Sequence, residues 1–544
     1  MNARLFLLFV FIAAQFFSPA GVNADQNVPA DDDILRLALH VSGIGSMDPH
    51  RITGSQDRAF ADLVYNGLLR YRPGQAPSIE PDLAERIPDF KMINGRQVWT
   101  VALKRNVMFH SAPGVKAHEM TADDVVFSLQ KTADSEYSTS AGEYEGIEVE
   151  KISRYKVRII PEKPISPVLF LPKLTDVGSG CIISKKAVQK TGYKEFLRHP
   201  VGTGPFAFKR HIKGEKIILS AHENYFRGRP KLAGVEIHFI AGTKERTLAL
   251  KQGKVDVIMG SGSQGWIHDM ALTEDIKLDF HGVGESIILY LDTRMKPLDD
   301  IRVRKAIAYA LDRETFIETS NKLLVEQIYS PVPEQLLPGG LSREEAAGLD
   351  LLFSKNLEIA RSLMAKAGFP DGFTLDIVSS EKRLYRSCYR SLAEQLEKIG
   401  IRCRIQTVPH SDMHRIIRKE QKPLVIYVSW RPNAQIYLKR TFHSDSIVVT
   451  GRKPDTNFSH YSRIDKLIED ARLEIDPEKQ INLWEQAQIR ILSDMAAYPI
   501  MYTRQVYARR SYVDYGHPLS STMALYPQFT ENTRIIKSSG TGGQ

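Results

Sequence analysis

The chain has 544 residues, of which 42% are hydrophobic and 25% are charged, as in an ordinary soluble globular protein. This length excludes a fold built around one core, so about three lobes are expected. The formal net charge is +9, but Lys and Arg alternate with Asp and Glu without a long block of one sign. The positive net charge is therefore only a weak indication of a nucleic-acid or membrane partner.

The N-terminus has the order of a secretory signal peptide. Arg4 precedes an apolar run over residues 5–17, and the small-residue pattern Val22-Asn23-Ala24 precedes Asp25. The apolar run is well short of the roughly 20 residues that span a bilayer. We predict cleavage after Ala24, with residues 1–24 as signal peptide and the mature chain free in the periplasm. The alternative is an uncleaved anchor helix; no cysteine near this boundary supports a lipoprotein anchor.

Three cysteines are too few for a disulfide framework. Cys388 falls on a predicted helix and Cys403 on the strand that follows it, while Cys181 lies far away in sequence. Two alternatives remain for Cys388 and Cys403: a disulfide in an oxidising compartment, or two separately buried thiols.

The first predicted elements are a strand followed by a helix, as in an α/β unit. Alternating apolar residues predict a strand over 35–41, and a helical stripe predicts a helix from about Gln56. A second strand is predicted around Trp99. Thr121 as N-cap, with Asp124 three residues later, then predicts a helix start rather than a catalytic carboxylate pair.

The segment 200–257 contains a Gly-Thr-Gly sequence that invites comparison with a phosphate-binding loop. Such a loop needs a helix N-terminus after it, whereas Pro205 and an apolar strand follow here, so a turn is predicted. Thr243 is predicted to cap the next helix and Gly253 to end it in a left-handed conformation. A strand over 255–259 and another over 286–292 follow, the latter as a crossover into a new region.

Strands and helices alternate in the last third of the chain, which predicts parallel α/β packing. Helices are predicted around Ile307, Leu363 and Leu392, and strands over 373–378 and 401–405. Asp476 and Pro477 predict a further helix start, and the aromatic stripe that follows is predicted to be core.

Ordered motifs along the chain resemble one protein family, the bacterial extracellular solute-binding proteins of family 5. The resemblance runs from about residue 34 to 530. The motifs that carry it are MDP at Met47, YNGLLRY at Tyr65, PDLAE at Pro81, MFHSAP at Met108, TADDVVFSL at Thr121, PVGTGPF at Pro200, RVRKAIAYALDRE at Arg302, AKAGFPDGFTL at Ala365 and LEKIGI at Leu396.

The resemblance implies an α/β fold of the periplasmic binding protein class II, with two main lobes that close on a cleft and an inserted third domain. The implied division is a discontinuous domain I (25–72, 199–288 and 504–535), domain II (73–198), domain III (289–503) and a disordered tail (536–544). The implied function is capture of peptides by lobe closure and delivery to the permease subunits of an ABC importer. No cofactor, metal, nucleic acid or enzymatic activity is implied, and a monomer is expected.

Two segments are expected to hold the ligand. In the first, Thr53 and Ser55 follow the MDP motif, where similar proteins pair a strand-like loop with the peptide backbone; the alternative is a polar loop in which Ser55 caps the next helix. In the second, Trp430 and Asn433 end a strand of the third lobe. Similar receptors commonly have Asp at the position of Asn433, where its charge receives the peptide's ammonium group.

An amide accepts a hydrogen bond from an ammonium group but does not neutralise it, and charge-assisted bonds are about twice as strong. Asn433 therefore keeps a non-peptide solute open as the alternative: an opine, a sugar, haem or a nickel chelate. Asp445 is a candidate replacement for the missing charge. A ligand carboxylate is expected to meet Arg383, Arg386 or Lys382; the alternative for these is a solvated basic helix start.

Residues typical of catalysis or metal binding do not form a recognisable constellation. His410 and His414 are spaced for one helix face, but no third ligand is evident. Ser261 and Ser263 lie among glycines without the pattern of a hydrolase nucleophile elbow. A secreted peptide hydrolase and a receptor with a chaperone or adhesin role remain as minor alternatives.

Overall fold

The computed structural model describes residues 33–52, 54–175, 179–282, 284–318 and 320–536. The predicted signal peptide, Thr53 and residues 537–544 of the predicted tail lie outside these ranges. None of the described helices combines the length and apolar character that a membrane span requires.

The strands and helices of the described residues are numbered in chain order. The strands β1 to β23 are Ile34–Leu39, Leu69–Tyr71, Ile79–Pro81, Asp89–Ile93, Arg96–Ala102, Met108–Phe109, His118–Glu119, Ile147–Ser153, Lys156–Pro161, Phe206–Ile212, Lys216–Ala221, Gly234–Phe239, Val257–Met259, Ile276–His281, Ser286–Leu291, Val325–Gln327, Phe373–Ser380, Ile401–Val408, Leu424–Ser429, Ala497–Thr503, Gln505–Arg510, Val513–Asp514 and Arg534–Ile535. The helices α1 to α17 are Ser55–Val64, Ala122–Ala133, Ala141–Tyr144, Pro167–Phe170, Lys185–Thr191, Tyr193–Phe196, Thr243–Lys251, Gln264–Ala271, Ile301–Ala310, Arg313–Glu318, Arg343–Gly348, Leu357–Lys366, Arg383–Glu397, His410–Lys419, Ala434–Phe442, Asp465–Leu473 and Pro477–Ser493.

A seven-stranded mixed sheet forms the first lobe, in the order β10-β11-β12-β1-β13-β21-β14. The predicted first strand, β1, is central and pairs in parallel with β12 and β13. Both faces of this strand are covered, since Leu35, Leu37 and Ala38 are all buried. The sheet combines segments from the start, the middle and the end of the chain, which gives the first lobe its discontinuous sequence.

An antiparallel sheet, β4-β5-β9-β8, forms the inserted lobe. Trp99 on β5 is buried and stacks on Phe170 at 4.3 Å between ring centroids. The predicted helix start is confirmed: α2 begins after Thr121, whose backbone N–H donates to the Asp124 carboxylate at 2.9 Å. This carboxylate is engaged in capping, as its position in the sequence predicts.

The third lobe contains the sheet β16-β20-β15-β19 and the pair β17-β18. The sequence predicts parallel packing in this region. The prediction is confirmed for β17 and β18, which pair in parallel from Phe373 with Ile401 to Ser380 with Val408. It is wrong for the four-stranded sheet, whose pairs are antiparallel. The reason is topological, because β15 enters the lobe from the first lobe while β20 leaves it in the opposite direction.

The glycines of the Gly-Thr-Gly segment form a tight turn before β10, as predicted. A Cβ on Gly202 would lie 1.9 Å from the Val64 carbonyl oxygen, so the two chain segments touch directly. Thr203 Oγ1 donates to Asn66 Oδ1 at 3.0 Å, and Asn66 Nδ2 donates to Asp82 Oδ2 at 2.8 Å. Three of the recognised motifs therefore meet in one buried network whose role is structural.

The start of α7 differs by one residue from the predicted start, and the state of the cysteines is also defined. The N-cap of α7 is Gly242, one residue before the predicted Thr243, whereas Gly253 has the predicted left-handed conformation with φ of +68°. The cysteines are free thiols. Burial raises the pKa of Cys388 to about 12 and that of Cys403 to about 11, so both thiols stay protonated at neutral pH.

Buried histidines predict that the protein loses stability in mild acid. Burial lowers the pKa of His50 to about 4, of His110 to about 3 and of His281 to about 4, against an ordinary value of 6.5. The unfolded chain therefore takes up these protons first as the pH falls below 6.5. Burial raises the pKa of Asp62 to about 6, so this group acts in the opposite direction.

For these four groups, three protons gained and one lost leave a net uptake of about two protons on unfolding near pH 5, or about 3 kcal/mol of stability per pH unit. Urea unfolding at pH 7, 6 and 5 measures this loss. A free energy of unfolding that stays constant over that range would contradict the assignment of neutral buried histidines.

Candidate functional site

Two chain segments cross from the first lobe to the third lobe, and they run antiparallel to each other in direct contact. One leads from β14 into β15 and includes Gly284 and Glu285, and the other leads from β20 to β21 through Arg504. Thr503 N donates to the Glu285 carbonyl at 2.9 Å, and Glu285 N donates to Thr503 Oγ1 at 3.1 Å. A Cβ on Gly284 would lie 1.1 Å from the Thr503 carbonyl oxygen. This crossing is the natural hinge for a movement of one lobe against the other.

The inserted and third lobes are in direct contact. Ser166 Oγ, next to α4, donates to Gln480 Oε1 of α17 at 2.6 Å, and both residues are fully buried. On the first lobe, a Cβ on Gly262 would lie 3.2 Å from Leu324 Cδ1 of the third lobe. The third lobe therefore contacts the inserted lobe and approaches the first lobe closely.

Charged side chains gather beside the hinge. Glu285 leads into β15, Lys382 precedes α13, and Arg431 follows β19. Partial desolvation raises the pKa of Glu285, whose side chain is still exposed, and the positive charges of Lys382 and Arg431 oppose that rise. Both cations are therefore close enough to act on Glu285, and together the three side chains leave one excess positive charge next to the crossing.

The predicted segment at Trp430 lies at the end of β19, adjacent to these charges. Trp430 is half-buried, and its indole Nε1 has no hydrogen-bond partner among the described residues. Arg431 Nη1 donates to the Trp430 carbonyl at 2.8 Å, whereas Arg431 Nε has no partner in the described chain. Unpaired buried donors of this kind are uncommon and suit recognition of an acceptor.

Asn433 has a structural role that was not predicted from the sequence. It is the N-cap of α15, and its Oδ1 accepts from Ile436 N at 2.9 Å. One of the two acceptor positions of the side-chain oxygen is therefore used, and the amide NH₂ offers two donors to a solute. Asp445 pairs with Arg452 at 2.5 Å. That contact makes it a poor replacement for the charge that Asn433 lacks.

Asn433 also lines a concavity of about 770 Å³ between the inserted and third lobes. Its walls carry charges of both signs, including Glu143 and Lys173 on one side and Lys439 and Asp455 on the other. This volume lies within the range of small-molecule sites.

The other predicted segment is anchored by the MDP motif. Asp48 is fully buried, caps the 3₁₀ helix Pro49–Arg51 through the His50 N–H, and pairs with Lys131 of α2 at 2.8 Å. Ser55 is the first residue of α1 and Gly54 is its N-cap, so Ser55 does not cap this helix. Its side chain is half-buried at the start of α1.

Arg383 and Arg386 lie on the exposed side of α13, in a groove of about 530 Å³ that shares no lining residue with the concavity at Asn433. Lys382 is the member of this basic group that influences Glu285. His410 Nε2 and His414 Nε2 are 3.2 Å apart on α14. Among the described residues, no group of three His, Cys, Asp or Glu side chains is placed to hold a metal ion.

Sequence reasoning missed Glu285, because it follows Gly284 in a linker without a motif. It also missed Arg431, which stood between two predicted residues but carried no signal apart from its charge. The adjacency of Glu285 and Arg431 to the predicted segments depends on the pairing of β15 with β19, in which Ser286 lies opposite Ser429.

Comparisons with known proteins agree with this architecture. The model of the bacterial extracellular solute-binding proteins, family 5, matches residues 78–446. The chain is 26% identical to the dipeptide-binding protein of Escherichia coli K12, over 80% of this chain and 82% of that protein. It is 25% identical to the heme-binding protein A of Haemophilus influenzae, over 83% and 84% of the two chains. The structure of MoaA from A. tumefaciens R10 in complex with mannopinic acid is 32% identical, with a TM-score of 0.70 and coverage of 92% and 99%.

The lobes, the paired segments that connect them and the concavity at Asn433 are the architecture of a solute-binding protein. The chain belongs to the bacterial extracellular solute-binding proteins of family 5. The predicted family and the predicted periplasmic binding protein fold are confirmed. The predicted domain boundaries stay predictions.

Proposed function

We propose that this protein is the periplasmic substrate-binding component of an ABC importer, that it captures a peptide or peptide-like solute by lobe closure, and that it is not an enzyme. Its relatives in the family include the dipeptide-binding protein of E. coli. The signal-peptide pattern at residues 1–24 supports export. Closure requires contacts that exist only in the closed state, since a ligand that binds both states equally shifts no population.

We further propose that the solute carries more anionic than cationic groups. The observation that carries this proposal is the excess of positive charge beside the hinge, where Lys382 and Arg431 face Glu285. Asn433 adds to it, because its oxygen already accepts one hydrogen bond while its NH₂ offers two donors. Two cations and a donor receive carboxylates well, while Glu285 remains to meet one ammonium group.

Such a solute is either an acidic peptide or an amino-acid conjugate with carboxylates at its ends. The second class is supported by MoaA, which is 32% identical and whose structure contains mannopinic acid. We propose Trp430, Arg431, Asn433 and Lys382 as contacts from the third lobe. Ser55 and Thr53 remain proposed contacts from the first lobe, and Arg383 and Arg386 remain predictions based on the family resemblance.

Replacing Lys382 tests the charge argument. We expect Lys382→Gln to weaken binding of an acidic ligand about tenfold or more, because a charge-assisted hydrogen bond contributes about 1.5–3 kcal/mol. The side chain is exposed, so the melting temperature should not fall. Isothermal titration calorimetry with acidic, neutral and basic dipeptides and with amino-acid–sugar conjugates measures the effect.

Lys398→Gln is the matched control, since it removes the same charge at the opposite end of α13. Equal weakening in both variants would indicate general electrostatics and contradict a contact at Lys382. Mass spectrometry of each peptide after prolonged incubation separates binding from hydrolysis: an intact peptide is expected, and cleavage would contradict the proposal.

A further inference from the structure

A second basic concavity lies outside the hinge region. Arg383, Arg386 and Arg390 follow one another at helical spacing along one side of α13, and all three are exposed. They line the groove of about 530 Å³ against β18, whose Ile405 and Thr407 form the opposite wall. Hydroxyl side chains complete the lining, with Ser379 fully buried and Ser387 nearly so.

The positive charge of this groove is not neutralised by the protein. Among the described residues, no carboxylate lines the groove, and the three guanidinium groups make no ion pair or side-chain hydrogen bond. Some other exposed arginines of the same lobe do: Arg404 pairs with Asp376 at 2.6 Å, and Arg440 pairs with Asp455 at 2.6 Å.

Like charges one turn apart on a helix destabilise it by a few tenths of a kcal/mol per pair. Three unpaired arginines on one helix face are therefore unfavourable for the empty protein. An anion that bridges them removes the repulsion, and it gains bidentate hydrogen bonds that only guanidinium groups provide.

We infer that this groove binds a phosphate-bearing anion. Three planar guanidinium groups offer more donors than one carboxylate accepts, whereas a phosphate or diphosphate group has enough oxygens for all three. The hydroxyl groups of Ser387 and Thr407 add neutral donors along the wall. The groove shares no lining residue with the concavity at Asn433, so this inference gives Arg383 and Arg386 a role in place of the predicted contact with the solute and does not depend on the proposed solute.

Inorganic pyrophosphate is a suitable probe, used with the full mature chain at about 50 mM salt, where exposed charges are weakly screened. We expect saturable binding by calorimetry and a rise in melting temperature. Arg390→Glu should weaken binding at least tenfold while leaving the melting temperature of the empty protein unchanged or higher. Arg402→Glu is the control, since it reverses an exposed charge on β18 outside the groove.

Several results would overturn the inference. One is the absence of binding to both pyrophosphate and phosphatidylglycerol vesicles. A second is equal loss in Arg390→Glu and Arg402→Glu, which would indicate general electrostatics. A third is displacement of the cleft ligand by pyrophosphate, which would place these arginines in the solute site.

The two probes also distinguish the source of the phosphate. Binding to pyrophosphate alone supports a soluble phosphate compound. Co-sedimentation with phosphatidylglycerol vesicles that Arg390→Glu abolishes supports a lipid headgroup.

Discussion

Lys131→Met is expected to lower the free energy of unfolding by about 3–5 kcal/mol, because it leaves Asp48 as a buried charge without its cation. Asp48 is fully buried and the Lys131 side chain is 6% exposed, with 2.8 Å between the carboxylate and the ammonium group. Burial raises the pKa of Asp48, but His50 and Lys131 outweigh this effect and hold the pKa below its ordinary value. Asp48 is therefore charged in the folded protein at neutral pH and depends on Lys131.

The pH dependence of this defect gives a second, independent readout. Lys131 also helps to lower the pKa of His50, whose Nδ1 lies 3.2 Å from Lys131 Nζ. Without Lys131, His50 becomes easier to protonate and can supply the missing cation. The loss of stability should therefore be largest near pH 8 and smaller near pH 6, and urea unfolding at both values measures it.

Lys151→Met is the control for this prediction. Lys151 pairs with Asp123 at 2.6 Å, but both side chains are about half exposed. Exposed pairs contribute about 1 kcal/mol or less, so this variant should remain close to the original protein. If the two variants lost the same stability, the burial of the Asp48 pair would have no energetic consequence.

Gly284→Ala is expected to have the second large effect, because the crossing of the hinge segments leaves no space for a Cβ. The added carbon would lie 1.1 Å from the Thr503 carbonyl oxygen, so the two segments must separate. Overpacking typically costs about 1–3 kcal/mol and occasionally more, and a contact with backbone is expected near the upper end. Since these segments connect the lobes, we also expect weaker binding of the solute through a changed closure geometry.

Urea unfolding and calorimetry on the same preparation measure both consequences. Gly265→Ala is the control, because a Cβ at this position in α8 meets no atom within 4 Å, and alanine favours the helix by up to about 1 kcal/mol. If Gly284→Ala bound the solute with unchanged affinity and stability, the crossing would not control the hinge.

Much of the fold could be predicted from the sequence, because its elements are marked by local chemistry. The cap at Thr121, the proline after Asp476 and the left-handed glycine at Gly253 all occur where the sequence predicts them. The antiparallel third-lobe sheet could not be predicted, because its pairing depends on strands from distant parts of the chain.

The candidate site was only partly predictable for the same reason. Trp430 and Asn433 were found through a family motif, but Glu285 and Lys382 approach Arg431 only after β15 has paired with β19. The capping role of Asn433 was also hidden, since an amide before a helix has the same sequence signature whether it caps the helix or binds a solute. Its bond to Ile436 N uses one acceptor position of the amide oxygen, which supports the proposal of an anionic solute.

The central claim is that the hinge-side charges select an anionic peptide or peptide-like solute. Isothermal titration calorimetry of protein freed from retained ligand, against acidic, neutral and basic members of one panel, tests it most directly. We predict one-to-one binding of acidic members, with at least tenfold weaker binding of basic ones and a loss of this preference in Lys382→Gln. Preferential binding of basic peptides, or no binding of any acidic member, would contradict the claim.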